Sequence, residues 1–380
     1  MFVFFALLTT ISFTFISFSE SDKIEFGEFY LPWVVQALPS SIPFMTAYYY
    51  NFVQVLMVFF MVSNDLRRLR FTTISALEAR PQDNSDTIIG KFLGRVAIFS
   101  LVNVLIYSVM ICYNLIYYPR VLNISYYFFY GITLNFPVLI YFLSLSILVS
   151  RFINNQGISI LFLLFFCVGT TICGAGVMNN LFDPFARYIP NLFSDFVGHV
   201  QLTCFLLHQT IYLLMGICFL ILSILVYRRL PNNIHQVRSV LVFAMFPFIL
   251  SVIFIAFYMG NFMRVERNKN EYRQFYFEYE YVLKNRVLSN EIRLRDLGKE
   301  GVAVESKMKI VNRNEEQIPV LLYLNPGLTV NGIKNGSVNL SFERKGPVIL
   351  VDKQLAAEDT CDLIVSYEGI VDNDVCHLDQ

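Results

Sequence analysis

The chain has 380 residues, of which 56% are apolar and 15% charged, with 29 basic and 29 acidic side chains that cancel. A soluble domain carries about a quarter charged residues. With a mean hydropathy of +0.54, the composition excludes a disordered chain, a coiled coil and an ordinary soluble enzyme, and no basic excess points to nucleic acid. A polytopic membrane protein remains. The charges are unevenly spread: residues 1–263 hold 23 of them and residues 264–380 hold 35, which sets a domain boundary near 263.

A helix crosses a bilayer with about 20 apolar residues. Seven runs qualify, at about 1–18, 42–63, 96–118, 125–150, 157–178, 203–227 and 239–259. They are continuous rather than alternating, so helices are expected, which satisfy their own backbone in lipid. The run from Met1 to Phe18 reads as a span or as a signal peptide. It has neither a positive flank before it nor a small-x-small cleavage site after it, which favours the span, and its start without a flank is what a piece of a longer protein would show. Loops after the second, fourth and sixth runs hold ten Lys and Arg, and the loops on the other side hold three, Lys23, Arg120 and Arg187. The positive-inside rule puts the first set in the cytoplasm and everything after Met259 outside it.

Residues 64–95 read NDLRRLRFTTISALEARPQDNSDTIIGKFLGR. Asn64 or Asp65 is expected to start a short amphipathic helix over 64–80, with Leu66, Leu69, Ile74 and Leu77 at near-helical spacing and Pro81 stopping it. A turn rich in Asp and Asn follows. On composition alone this helix is a surface anchor on the membrane; the sharper reading is a docking helix for a cytoplasmic partner. The order D-x-R-R, a helix closing on A-R-P, an Asx-rich turn and G-K-x-x-G-R, set between spans, resembles the ABC-2 type permease family over roughly residues 1–260. The resemblance implies that this segment couples to an ATP-binding subunit, with Asp65, Arg67, Arg68, Leu69, Arg70 and Glu78 at the docking face. It also implies a homodimer or a second permease subunit, in a bacterial inner membrane. The chain has no G-x-x-x-x-G-K-[ST] phosphate loop, so ATP would be used by the partner and no cofactor is expected in this chain.

Asn51, Gln54, Asn103, Asn114 and Asn135 interrupt apolar runs, and helix–helix hydrogen bonds are their expected role. No Asp, Glu, Lys or Arg lies well inside a run, which argues against an ion-coupled carrier. The small residues from Gly169 to Gly176, then Asn179, Asn180, Asp183 and Pro184, form either an ordinary outer loop or, as the resemblance implies, short helices dipping back toward the membrane. His199 and His208 are nine apart, a poor spacing for a metal, and read as interfacial or interhelical. Cysteines 112, 167, 173, 204 and 218 read as packing.

After Met259, Tyr272, Phe275, Tyr276, Tyr279 and Leu283 recur at helical spacing, with Glu280–Lys284 and Glu291–Arg295 able to pair, so an amphipathic linker helix is expected over 264–300. The aromatic stripe reads as packing. From Gly301 the period becomes two, with strands at 302–311, 318–324, 328–333, 337–342, 347–351 and 361–368 between turn signals, which implies an antiparallel sandwich over 301–380. Asn312-Arg313-Asn314-Glu315, Leu324-Asn325-Pro326-Gly327, Phe342-Glu343-Arg344 and the run Leu363 to Asp372 resemble the N-terminal β domain of M1-family aminopeptidases, joined to a permease. The family's H-E-x-x-H is absent and the tail's histidine is His377, so a zinc peptidase is not expected, and the tail is a binding or scaffolding module or the opening of a larger domain. Cys361 and Cys376 would face an oxidising compartment and are a candidate disulfide. The alternatives to a transporter are an anchor presenting the tail and a structural subunit of an envelope machine.

Overall fold

The computed structural model describes residues 41–71, 84–153, 155–174, 176–187, 189, 193–194, 198–199, 202–227, 234–298 and 301–372. The run 1–18 lies outside them. The chain divides into two compact units, Met1–Met259 and Gly260–Gln380.

The first unit is helical: α1 (Ile42–Phe71), α2 (Asn84–Tyr117), α3 (Ile124–Tyr130), α4 (Phe136–Phe152), α5 (Gln156–Cys173), α6 (Leu202–Val226) and α7 (Ile234–Glu278), the last running on into the second unit. A π-helical turn, Gly131–Asn135, fuses α3 to α4. Counted by length and apolar content, six segments among the described residues are able to cross a membrane: Ile42–Asn64, Asn84–Tyr117, Ile124–Phe152, Gln156–Cys173, Leu202–Val226 and Val237–Glu278. They mark a membrane protein. The core gathers on α4, where Val138, Phe142, Leu143 and Ile147 meet Val55, Val58 and Phe59 of α1 and Tyr212 of α6. Gly216 of α6 lies against the α4 backbone, since a Cβ there would stand 2.8 Å from the Tyr141 Cα.

Two expectations change here. Asn64 and Asp65 do not start a new helix; α1 continues unbroken to Phe71. A helix already propagating gains one hydrogen bond for each residue it fixes, so a polar pair within it is no reason to stop. The later part of the Asx-rich turn is likewise absorbed: Asn84, Ser85 and Asp86 form the first turn of α2, where an acidic residue favours the positive end of the helix dipole, while residues 81–83 lie outside the described residues.

In the second unit α7 stops at Glu278, and an extended strand, β3, covers Arg286–Asp296. The expected helix over 264–300 is therefore corrected beyond 278. The Glu291–Arg295 helical pair does not exist; Glu291 instead contacts Arg293 along the strand at 3.2 Å. The stripe packs only in part: Phe275 and Tyr279, joined by Val282, lie against Leu321, Val348 and Leu350, while Tyr276 and Leu283 are exposed.

Two tiny strands, β1 (Phe193–Ser194) and β2 (Gly198–His199), pair in the first unit. In the second, β3 is followed by β4 (Val302–Val311), β5 (Ile318–Tyr323), β6 (Leu328–Asn335), β7 (Val338–Leu340), β8 (Phe342–Lys345), β9 (Val348–Leu355) and β10 (Thr360–Gly369). A five-stranded sheet has the order β3-β4-β10-β6-β7, and a three-stranded sheet has β5-β9-β8. Every pairing is antiparallel. Ile310, Ile333, Leu363 and Val365 of the larger sheet share one buried cluster with Val320, Ile349 and Val351 of the smaller.

Candidate functional site

Pro137 shapes the interior of the helical unit. It has no N–H, and its ring crowds the carbonyl four residues back, so the helix before it widens. The Phe136 N–H reaches the Gly131 carbonyl, five residues away, which makes the π turn. Such turns concentrate at functional positions. This one turns Asn135 inward, where its amide nitrogen donates to Tyr107 OH at 2.7 Å and to Asn103 Oδ1 at 3.0 Å, both from α2. Asn103 donates to Gln54 Oε1 of α1 at 2.9 Å and to its own Phe99 carbonyl at 2.9 Å, and Gln54 donates to the Asn135 carbonyl at 3.2 Å. Three spans are thus tied by one polar cluster. Asn114 bonds Tyr127 OH at 3.2 Å, linking α2 to α3. The expected interhelical role holds for these four residues. Asn51 differs: it is fully buried, and neither end of its amide is hydrogen bonded among the described residues.

Beside the cluster lies a cavity of about 450 Å³ between α2 and the α3–α4 segment, lined by Asn103, Tyr107, Tyr127, Gly131, Phe136 and Leu139 among others. Gly131 is required, since a Cβ there would stand 2.8 Å from the Tyr107 ring. Its walls are mostly apolar, with amide and phenol groups at one side and no ionised group among the described lining residues. This chemistry suits a neutral, apolar or amphiphilic molecule.

The segment after α5 returns into the bundle by successive turns, with Met178, Asn179, Asn180 and Ala186 at positive φ. Side chains from α6 and α7 hold its carbonyls. Tyr258 OH donates to Asn179 O at 2.7 Å and Tyr212 OH to Leu181 O at 2.8 Å, His208 Nε2 lies 3.3 Å from Asn180 O, and Gln209 donates to Pro184 O at 3.4 Å. His208 is therefore interhelical; the side chain of His199 lies outside the described residues. Asp183, fully buried, accepts from the Phe185 and Arg187 N–H groups at 3.1 and 2.7 Å. Burial pushes its carboxyl up to about 6 despite those bonds and the nearby Arg187 guanidinium. In its described part the segment is built of turns, neither the short helices that the resemblance implies nor an ordinary outer loop, since its side chains enter the bundle.

At the opposite ends of the helices, Arg151 sits 4.5 Å over the Tyr227 ring and Asn84 donates to the Tyr227 carbonyl at 3.3 Å. Of the expected docking residues, Asp65, Arg67, Arg68, Leu69 and Arg70 belong to the last turns of α1, but their side chains, and Glu78 altogether, lie outside the described residues. Cys361 is a buried free thiol with Lys353 Nζ at 3.1 Å, and Cys376 lies outside the described residues.

The geometry defines a class: a polytopic helical membrane protein with a C-terminal antiparallel-sheet unit. Compared with known proteins, the chain matches no family model, no curated protein and no solved structure.

Proposed function

We propose that the chain is the membrane-spanning permease subunit of an ATP-binding cassette exporter of ABC-2 type, in a bacterial inner membrane. A separate cytoplasmic ATPase docks at residues 64–80, the permease pairs with a second copy or a second permease subunit, and the two sheets form an extracytoplasmic sandwich like the M1 N-terminal domain. The observation that carries this reading is the polar cluster of Gln54, Asn103, Tyr107 and Asn135 tying three helices beside an open-sided apolar cavity, whose rim residues Val104, Phe128 and Ile132 are exposed. An anchor needs one span and no internal polar ties between three. The meeting of Asn84, Arg151 and Tyr227 joins the ends of the three loops that together hold ten Lys and Arg, and supports a common cytoplasmic side for those ends.

Co-purification tests it. An ATPase subunit is expected to travel with the full chain, and Arg68→Glu and Leu69→Asp are expected to release it while the permease still inserts. A docking contact is partly buried between proteins, so reversal of its charge weakens binding strongly, whereas a lipid anchor loses about 1 kcal/mol per charge. A chain that carries no ATPase would favour the anchor or envelope-subunit alternatives.

A further inference from the structure

The five-stranded sheet ends in two very different edges. At one, β7 has three residues. At the other, β3 has 11 residues, all exposed. Long exposed edges offer a row of backbone donors and acceptors to another strand, and proteins usually shorten, bulge or cover them. The β3 edge has a bulge between Val287 and Ser289, which irregularises only its first end. From Ser289 to Asp296 the register with β4 is regular.

The two faces of this stretch differ in chemistry. Asn290, Ile292 and Leu294 oppose Met308, Ser306 and Val304, so they share the face of β4 whose Ser306 and Val304 are buried. Asn290 confirms the facing, since Ser306 Oγ donates to its Oδ1 at 2.7 Å. Ile292 and Leu294 nevertheless stand 56% and 63% exposed. On the other face Glu291, Arg293 and Arg295 follow one another.

We infer that the β3 edge is a self-pairing surface: two copies of this chain join their β3 strands antiparallel about a two-fold axis at Ile292, making one continuous ten-stranded sheet. In a continuous sheet, directly opposite residues share a face, so the axis must pass through a residue and not between two. With the axis at Ile292, the side chain meets Ile292 of the partner subunit and covers exposed apolar surface on both. Glu291 stands opposite Arg293 of the partner subunit, and the reverse pair repeats it, as an isologous contact demands. Opposite charges directly across a strand pair stabilise it and like charges oppose it. An axis at Glu291 would set Glu against Glu, and one at Arg293 would set Arg against Arg. The present Glu291–Arg293 contact runs along one exposed strand and holds little energy, so exchanging it for two contacts between copies is easy. The surface belongs to the second unit and does not depend on the transport reading.

The test uses the full chain in membranes. Residues facing each other across an antiparallel pair have Cα atoms about 4.5–5.5 Å apart, within disulfide range. Under mild oxidation Ile292→Cys is expected to give a disulfide-linked dimer absent from the parent chain, and Leu294→Cys, which would face Asn290 of the partner subunit, is not. In the Ile292→Cys background, Glu291→Arg and Arg293→Glu each turn both charge pairs repulsive and are expected to lower the linked fraction about tenfold. The double exchange is expected to restore it. With the axis at Arg293, the double exchange would instead set the introduced arginine against Arg295 of the partner subunit and restore nothing. The inference is overturned if Ile292→Cys links no better than the parent or Leu294→Cys, or if the double exchange stays as low as the single changes.

Discussion

The ring of Phe185, from the segment after α5, stacks on that of Phe52 of α1 with centroids 4.4 Å apart and planes within 20°. Phe142 of α4 lies on it as well, at 5.6 Å and 26°. A segment that a hydropathy profile places outside the bundle therefore contributes one of its fully buried side chains. Deleting a buried aromatic ring removes its burial and leaves a cavity. Phe185→Ala is expected to destabilise the helical unit by roughly 3–5 kcal/mol. Thermal unfolding in detergent would show it, and a midpoint within a degree of the parent would deny Phe185 this role.

Asp183 sets a pH dependence for the same segment. Its folded carboxyl titrates at about 6, against about 4 in an unfolded chain. The raised folded value means that the folded state holds the proton more tightly. The stabilisation is full below pH 4 and is lost as pH rises through 6, by up to about 3 kcal/mol. Asp183→Asn should flatten this part of the stability curve between pH 4 and 7, because the amide keeps one acceptor for the Phe185 or Arg187 N–H and carries no charge. Parallel curves for parent and variant would contradict the assignment.

Two buried amides in the bundle should behave oppositely. Asn103→Leu strands Gln54 Oε1 and removes an acceptor of Asn135, so a loss of about 1–2 kcal/mol is expected. Asn51 has no hydrogen bond among the described residues to lose, and Asn51→Leu is expected to be neutral or stabilising. Equal destabilisation by both changes, read from melting midpoints, would show that Asn51 is satisfied in the assembled protein.

The readability of the chain follows from periodicity. Apolar runs made six of the span positions legible, and strict alternation placed β4, β5, β6, β9 and β10 within a few residues of their observed ends. Strand β3 is hidden in the sequence because Glu291 and Arg295 sit at helical spacing just after a true helical stripe. The signal that could have found it is the alternation of Ile292 and Leu294 with Arg293 and Arg295. The polar cluster was legible as isolated Asn and Gln in apolar runs, but its partner Tyr107 was not, because a tyrosine in a span carries no pattern of its own. The returning segment left no trace in hydropathy: the groups holding its carbonyls are dispersed over α6 and α7, and proximity in three dimensions has no period in sequence.

Arg344 organises the second unit in a way its sequence position does not announce. Its guanidinium donates to the carbonyls of Leu328, Asn325, Pro326 and Gly346, joining β8 to the loop that opens β6. A lysine has one ammonium and cannot copy that fork. Both Arg344→Ala and Arg344→Lys are expected to destabilise the unit by about 2 kcal/mol or more, with faster amide hydrogen exchange at residues 325–328. Full retention of protection in Arg344→Lys would mean that charge alone suffices.

ATP hydrolysis by the chain isolated from its own membrane tests the transporter reading most directly. The intact chain is expected to bring with it a magnesium-dependent ATPase activity that follows it through purification. Leu69→Asp is expected to insert normally and lose that activity. A chain that purifies without ATP hydrolysis, or hydrolysis that is unchanged in Leu69→Asp and Arg68→Glu alike, would contradict a permease driven through residues 64–80.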